Sequence, residues 1–138
     1  MSRARLRRAL LIERLRAAEY AHAAADAKAA QSVREKLERL SERTRTLAEL
    51  YAIRDHARDG ADLAAASILG AHLRDIGRAA AVQADSARVT AEARFADLAQ
   101  ADRRRQRSAE DRRDLAALLE QERAAREAGV PRRTPQRS

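Results

Sequence analysis

The side chains that could carry catalysis or hold a metal are few and scattered along this chain. Its three histidines are His22, His56 and His72, and none lies three or four residues from another. Two ligands on one helix need that spacing to reach the same ion. The chain has no cysteine, which excludes disulfides, thiolate zinc sites and thiol nucleophiles. We therefore expect no enzymatic activity, no catalytic residue, no metal and no cofactor.

Arginine is the residue type that offers most for binding a ligand. It outnumbers lysine 27 to 2 and gives the chain a net charge of +8. It is concentrated in residues 1–16 and 103–113 and in the C-terminal tail. Guanidinium groups bind carboxylates and phosphates, so these segments predict a docking surface for an acidic protein, nucleic acid or anionic lipid. A solvated face of an arginine-rich protein is the alternative. Aromatic residues make up only 2% and do not interleave with the arginines, so sequence-specific nucleic-acid binding is not expected.

The composition predicts long helices rather than a thick core. Hydrophobic residues are 45% of the 138, but 35 of them are alanine. Alanine, arginine, leucine and glutamate are strong helix formers that need little burial. The longest uncharged run, residues 63–73, is too short to span a bilayer. We expect an all-α, cytoplasmic protein.

Glycine and proline divide the chain. The first proline is Pro131, and Gly60 and Asp62 form a turn signal, in which Gly60 adopts a left-handed conformation and Asp62 caps the next helix. The prediction is a helical hairpin over residues 1–129 with arms at 4–58 and 62–128, a turn at 59–62, and a disordered Pro/Arg tail at 130–138. A short connection makes the arms antiparallel.

Apolar stripes along both arms predict how they pack. Their mean spacing is about 3.6 residues in each arm, which indicates a nearly straight antiparallel coiled coil. In this register large residues of one arm face small residues of the other, and Phe95→Ala should cost about 2–4 kcal/mol. Gly77 and Gly70 would let Thr44 and Tyr51 approach. The first-arm stripe is Leu11, Leu15, Ala18, His22, Ala25, Ala29, Val33, Leu37, Leu40, Thr44, Leu47 and Tyr51; the second is Leu69, Leu73, Ile76, Ala80, Ala84, Ala87, Ala91, Phe95 and Leu98.

The two ends of the predicted hairpin differ. At the end that carries the termini, Leu11 and Leu15 face Arg105, Gln106 and Glu110, so this end should splay or be completed by another molecule. Near the turn, the uncharged residues 63–73 are apolar on all sides of the helix, which predicts a protein-binding patch. An alanine-rich tip without a partner is the alternative there.

The basic and apolar start (residues 3–15, RARLRRALLIERL), the single central turn and the late arginine-rich stretch resemble the FliJ family of flagellar type III export proteins and the related YscO-like stalk proteins. The resemblance covers residues 3–128. It implies a non-enzymatic stalk that docks in the hexameric export ATPase, contacts the cytoplasmic domain of the export gate and helps recycle substrate chaperones. The location that it implies is the cytoplasm, peripheral to the inner membrane through these partners.

The resemblance also suggests which residues meet each partner. The base, which would dock the ATPase, comprises Arg3, Arg5, Arg7, Arg8, Leu11, Leu15, Arg103, Arg104, Arg105 and Arg107. The tip patch, which would touch the gate, comprises Leu47, Tyr51, Leu69, Leu73 and Ile76. The alternative function is a basic coiled coil that binds nucleic acid or other polyanions nonspecifically, and an oligomeric scaffold is a third possibility.

Overall fold

The described residues form two long helices that pack against each other as an antiparallel hairpin, which confirms the all-α fold. The structure is a computed structural model and describes residues 2–54 and 60–129. Helix α1 spans Ser2–Arg54, and helix α2 spans Gly60–Gly129. Gly60 is the first residue of α2 and does not have a left-handed backbone conformation, whereas Asp62 lies in the first turn as predicted. The predicted turn at 59–62 is wrong over residues 60–62, because these residues already form the first turn of α2. Residue 59 and the predicted disordered tail at 130–138 lie outside the described residues.

Local interactions favour both helices throughout. Neither contains proline, and alanine is their commonest residue. Charged pairs one turn apart line the exposed faces, such as Arg34 with Glu38 at 2.8 Å and Arg88 with Glu92 at 3.1 Å. Each pair stabilises a helix by only a few tenths of a kcal/mol, about 0.2–0.5. The helices therefore depend on their mutual packing for stability.

The chain divides into two compact units, each built from a segment of both helices. The terminal unit contains residues 1–23 and 98–138, and the central unit contains residues 24–97. Each unit has its own line of buried and half-buried residues, here called its seam, where α1 and α2 meet.

Small residues fill the seam of the central unit. Ala27, Ala48, Ala80, Ala84 and Ala91 are all buried. Seam positions alternate between three and four residues apart, the 3.5-residue repeat that is typical of left-handed coiled coils. The α1 members are Ala27, Ala30, Arg34, Leu37, Ser41, Thr44, Ala48 and Tyr51, and the α2 members are Ala66, Gly70, Leu73, Gly77, Ala80, Ala84, Ala87 and Ala91.

Gly77 lies close to Thr44 in this seam, as the sequence predicted. A Cβ atom on Gly77 would lie 3.2 Å from the Thr44 hydroxyl oxygen, which is tighter than an ordinary contact. That hydroxyl donates to the carbonyl of Leu40 at 2.8 Å, so the side chain is held in place. Gly70 is buried, but a Cβ there would meet nothing within 4 Å, so this position does not require glycine.

The predicted packing of large residues over small ones is also wrong for α1 except at Leu37, which is half-buried in the seam. Val33, Leu40 and Leu47 are about half exposed, because small residues occupy the seam instead. Alanine and glycine let two backbones come close, and a stripe with a period near 3.6 rotates out of a seam with a period of 3.5. On α2 the prediction holds from Ala80 to Ala91, where the stripe itself consists of alanine.

Polar and charged residues fill much of the seam of the terminal unit. Ala9 and Ser108 are buried there, and Glu13 accepts a hydrogen bond from Arg112 at 2.7 Å across the two helices. Arg105 lies over the ring of Tyr20, with its guanidinium carbon 4.3 Å from the ring centre. These contacts join the helices where the sequence predicted that they would splay.

Candidate functional site

The first turns of α1 place four of the predicted base residues on exposed positions of the terminal unit. These residues are Arg3, Arg5, Arg7 and Arg8. Leu11 and Leu15 follow one and two turns later and are 62% and 55% exposed. Because neither leucine belongs to the seam, both are available to a partner. The structure therefore places arginine and leucine together along one segment, the combination predicted for the base.

A groove in the terminal unit adds residues that the sequence did not single out. It has a volume of about 460 Å³ and lies between Ile12 of α1 and Leu118 of α2, with Leu115 at its floor. Arg5 and Arg8 border it on α1, while Asp111 and Asp114 border it on α2. Leu11 and Leu15 do not line it. Ile12 and Leu118 lie next to seam residues in the sequence. The groove could therefore be predicted only by someone who already knew which residues form the seam.

The second arginine cluster is split between the seam and the surface. Arg105 is half-buried and donates to Asp102 at 2.6 Å. This hydrogen bond raises the pKa of Arg105 further above its already high ordinary value, so the guanidinium stays charged under the ring contact with Tyr20. Arg103, Arg104 and Arg107 are exposed. Of the four, Arg105 has a role within the hairpin, and the other three are available to a ligand.

The predicted tip patch is also split in the central unit. Tyr51 and Leu73 are half-buried in the seam. Leu47, Leu69 and Ile76 are about 40% exposed. Each of these three directly precedes a seam residue, and in an antiparallel pair with a heptad seam such positions of both helices lie on one side. Together with Val33 and Leu40 they form an apolar surface, here called the leucine flank.

The opposite side of the same seam holds a groove with a basic rim. Its volume is about 460 Å³, and Ala48, Leu73 and Gly77 form its apolar floor. The rim residues are Arg45, Arg74, Arg78 and Glu49. The sequence did not predict this groove, because Gly77 and Ala48 carry too little side chain to fill the space and only the seam register reveals the gap. An apolar residue flanked by a carboxylate would complement it.

These surfaces present apolar and charged side chains. In residues 2–54 and 60–129, no group of three or more His, Asp or Glu side chains could hold a metal ion. Neither described helix has a stretch that is long and apolar enough to cross a membrane. Exposed leucine and isoleucine beside arginine supply apolar burial together with orientation by charge.

Comparison with known proteins gives no match. No family model fits the chain, and neither a curated protein nor a solved structure is significantly similar to it.

Proposed function

We propose that this chain is a non-enzymatic coiled-coil interaction protein of a bacterial type III export apparatus, most simply the flagellar one. The terminal unit docks into the hexameric export ATPase. The central unit contacts the cytoplasmic domain of the export gate and the substrate chaperones. The resemblance of residues 3–15 to the FliJ and YscO-like proteins suggests these partners.

The observation that supports this proposal best is the exposure of Leu11 and Leu15 beside the N-terminal arginines. Large apolar side chains that stay exposed next to a charged surface are typical of protein interfaces. A ring subunit with an apolar, acidic inner surface would cover them. The leucine flank of the central unit supports a second partner for the same reason.

The test is binding of the full-length chain to the export ATPase and, separately, to the gate domain encoded in the same genome. Leu11→Glu with Leu15→Glu should weaken ATPase binding at least about tenfold, the effect of losing roughly 1.4 kcal/mol. Leu50→Glu is the matched control, because Leu50 is a similarly exposed leucine of the central unit, at 52%. It should leave ATPase binding unchanged.

Two results would overturn this proposal. One is a wild-type chain that binds neither protein. The other is a deletion strain that swims and secretes hook protein normally.

Binding of a polyanion is the alternative function, and the exposure of Arg103, Arg104 and Arg107 favours it. Release of counterions makes phosphate binding fall steeply between about 50 and 200 mM salt. Apolar docking on Leu11 and Leu15 should change little over that range. A salt titration with DNA and with the ATPase in parallel separates the two functions.

A further inference from the structure

The outward side of α2 carries a second line of apolar and small residues within the central unit. Each member from Ile68 to Ala93 lies two residues after a seam position, a rotation of about 200° that places it on the side away from α1, and Ala65 and Ala96 continue the same spacing at the two ends. The three large members are strongly exposed: Ile68 by 72%, Val82 by 69% and Val89 by 58%. The whole line, here called the outer stripe, is Ala65, Ile68, His72, Asp75, Ala79, Val82, Ser86, Val89, Ala93 and Ala96.

The outer stripe has the repeat of a coiled-coil seam. Its members alternate between three and four residues apart, as the seam residues of the same helix do. A helix that is apolar on two opposite sides normally packs on both. In the central unit α1 covers one side of α2 and leaves the outer stripe in solvent.

We propose that the outer stripe binds the outer stripe of a second copy of this chain, with the two α2 helices antiparallel about a two-fold axis between residues 80 and 81. A two-fold interface must be self-complementary. In this register Ala79 faces Val82, His72 faces Val89, and Ile68 faces Ala93 of the second copy. Each large residue meets a smaller one, so the layers fill without large voids.

The polar residues of the stripe match as well. Asp75 faces Ser86 of the second copy, where the serine hydroxyl can donate to the carboxylate. Parallel pairing in register would instead place Asp75 against Asp75 and Ile68 against Ile68. Like charges in contact are unfavourable, so the sequence favours the antiparallel arrangement.

Charges that flank the stripe give a further match. Arg78 and Asp85 lie on the same edge of the outer stripe, seven residues apart and both exposed. In the antiparallel register Arg78 of each copy lies beside Asp85 of the other, so the two-fold axis produces two ion pairs. Arg78 also forms an ion pair with Asp75 in its own helix, which positions the guanidinium at this edge. This complementarity of charge and size identifies a second copy, rather than an unrelated helix, as the occupant.

The first experiment measures the mass of the full-length chain by light scattering and sedimentation. The expected result is a dimer at micromolar concentration. Val82→Glu should convert it to a monomer of unchanged helix content, since Val82 lies outside the hairpin seam. Val33→Glu, which changes a valine of α1 that is 52% exposed and not in the stripe, should leave the dimer intact. A wild-type chain that stays monomeric up to roughly 100 µM would overturn the proposal.

A charge exchange tests the register. Arg78→Asp and Asp85→Arg should each weaken dimerisation at least about tenfold, because each creates two like-charge contacts. The variant with both changes should restore dimerisation, since both contacts between the two copies again join opposite charges. A dimer that neither single change affects uses another surface and refutes this interface.

Disulfide trapping tests the orientation, because the natural chain has no cysteine. Asp75→Cys with Ser86→Cys should give a covalent dimer on oxidation. The two positions are eleven residues apart on one helix, about 16 Å, which is too far for a bridge within one chain. Either change alone should not crosslink. A covalent dimer from Asp75→Cys alone would indicate parallel pairing and contradict the proposed orientation.

Discussion

The two units join the same two helices by different means. In the central unit the seam is mostly alanine and glycine, and Ala91 has no exposed surface. In the terminal unit the seam contains Glu13, Arg16, Tyr20, Arg105 and Arg112, which are only half-buried. Small residues hold helices together by letting the backbones approach, whereas Arg112 and Arg105 do so through side-chain contacts with Glu13 and Tyr20 of the other helix.

This difference bears on where a partner can compete with the hairpin. Partly exposed ion pairs contribute little to stability, commonly about 0–1 kcal/mol. Close-packed alanine loses its contacts as soon as the helices separate. We therefore expect the terminal unit to open at a lower free energy than the central unit, which suits the unit proposed to dock into a larger assembly.

The largest expected effect comes from enlarging the alanine seam. Ala91→Leu should lower the free energy of unfolding by about 2–3 kcal/mol, because the close helices leave no room for a larger side chain. Urea denaturation followed by circular dichroism measures it. Ala99→Leu, at an exposed position of the same helix, should change stability by less than about 0.5 kcal/mol. Equal stability of Ala91→Leu and wild type would refute the alanine seam.

Leucine should have the opposite effect in the terminal unit. Replacing both Glu13 and Arg112 by leucine should raise the free energy of unfolding by about 1 kcal/mol, since apolar packing commonly matches or exceeds an ion pair. Glu13→Leu alone should lower it by about 1 kcal/mol, because Arg112 loses its acceptor. The same denaturation assay checks both. A double variant less stable than the single one would show that the ion pair holds this unit.

A smaller effect sharpens the geometry of the central seam. Gly77→Ala gains up to about 1 kcal/mol of helix propensity, but the new methyl group meets the Thr44 oxygen. We expect these effects to cancel within about 0.5 kcal/mol in the wild-type background. In a Thr44→Ala background the same change should stabilise the protein by about 1 kcal/mol. Identical effects in both backgrounds would place Gly77 away from Thr44.

A small effect is also expected at Phe95. The sequence stripe predicts a loss of about 2–4 kcal/mol for Phe95→Ala, but the ring is 46% exposed, so the expected loss is about 1 kcal/mol or less. Leu98→Ala, at a half-buried seam position, should cost more. If Phe95→Ala lost more stability than Leu98→Ala in a denaturation assay, Phe95 would have to be a seam residue.

Much of the fold could be predicted from the composition and from the positions of glycine and proline. The chain has no proline before residue 131, one Gly-Asp turn signal and few large apolar residues. These features together predict two paired helices. The α1 seam could not be predicted in the same way. Ala27 gives no hydropathy contrast with its many alanine neighbours, and Ala48 stands between Leu47 and Leu50, which are more apolar but exposed.

A candidate surface could be predicted from the sequence when its residues are exposed regardless of which residues form the seam. The N-terminal arginines could be assigned from the sequence alone. Leu11 and Leu15, which the sequence placed on the α1 stripe, are 62% and 55% exposed because the seam runs through other residues. The groove between Ile12 and Leu118 depends on which residues of two helices meet, which is a property of register. Arg105 was assigned to the base by its position in an arginine run, but its contact with Tyr20 is set by tertiary structure.

Leu69 and Ile76 of the leucine flank lie immediately beside the outer stripe, and this adjacency links two events. A chain whose outer stripe is covered by its twin presents these side chains to that twin, so a gate domain would have to displace it. By mass action, a high concentration of the chain would favour the dimer, and a low concentration would leave the leucine flank accessible to the proposed partner. The concentration of the chain in the cell would then determine how much of it is dimeric and how much is free to bind the proposed partner.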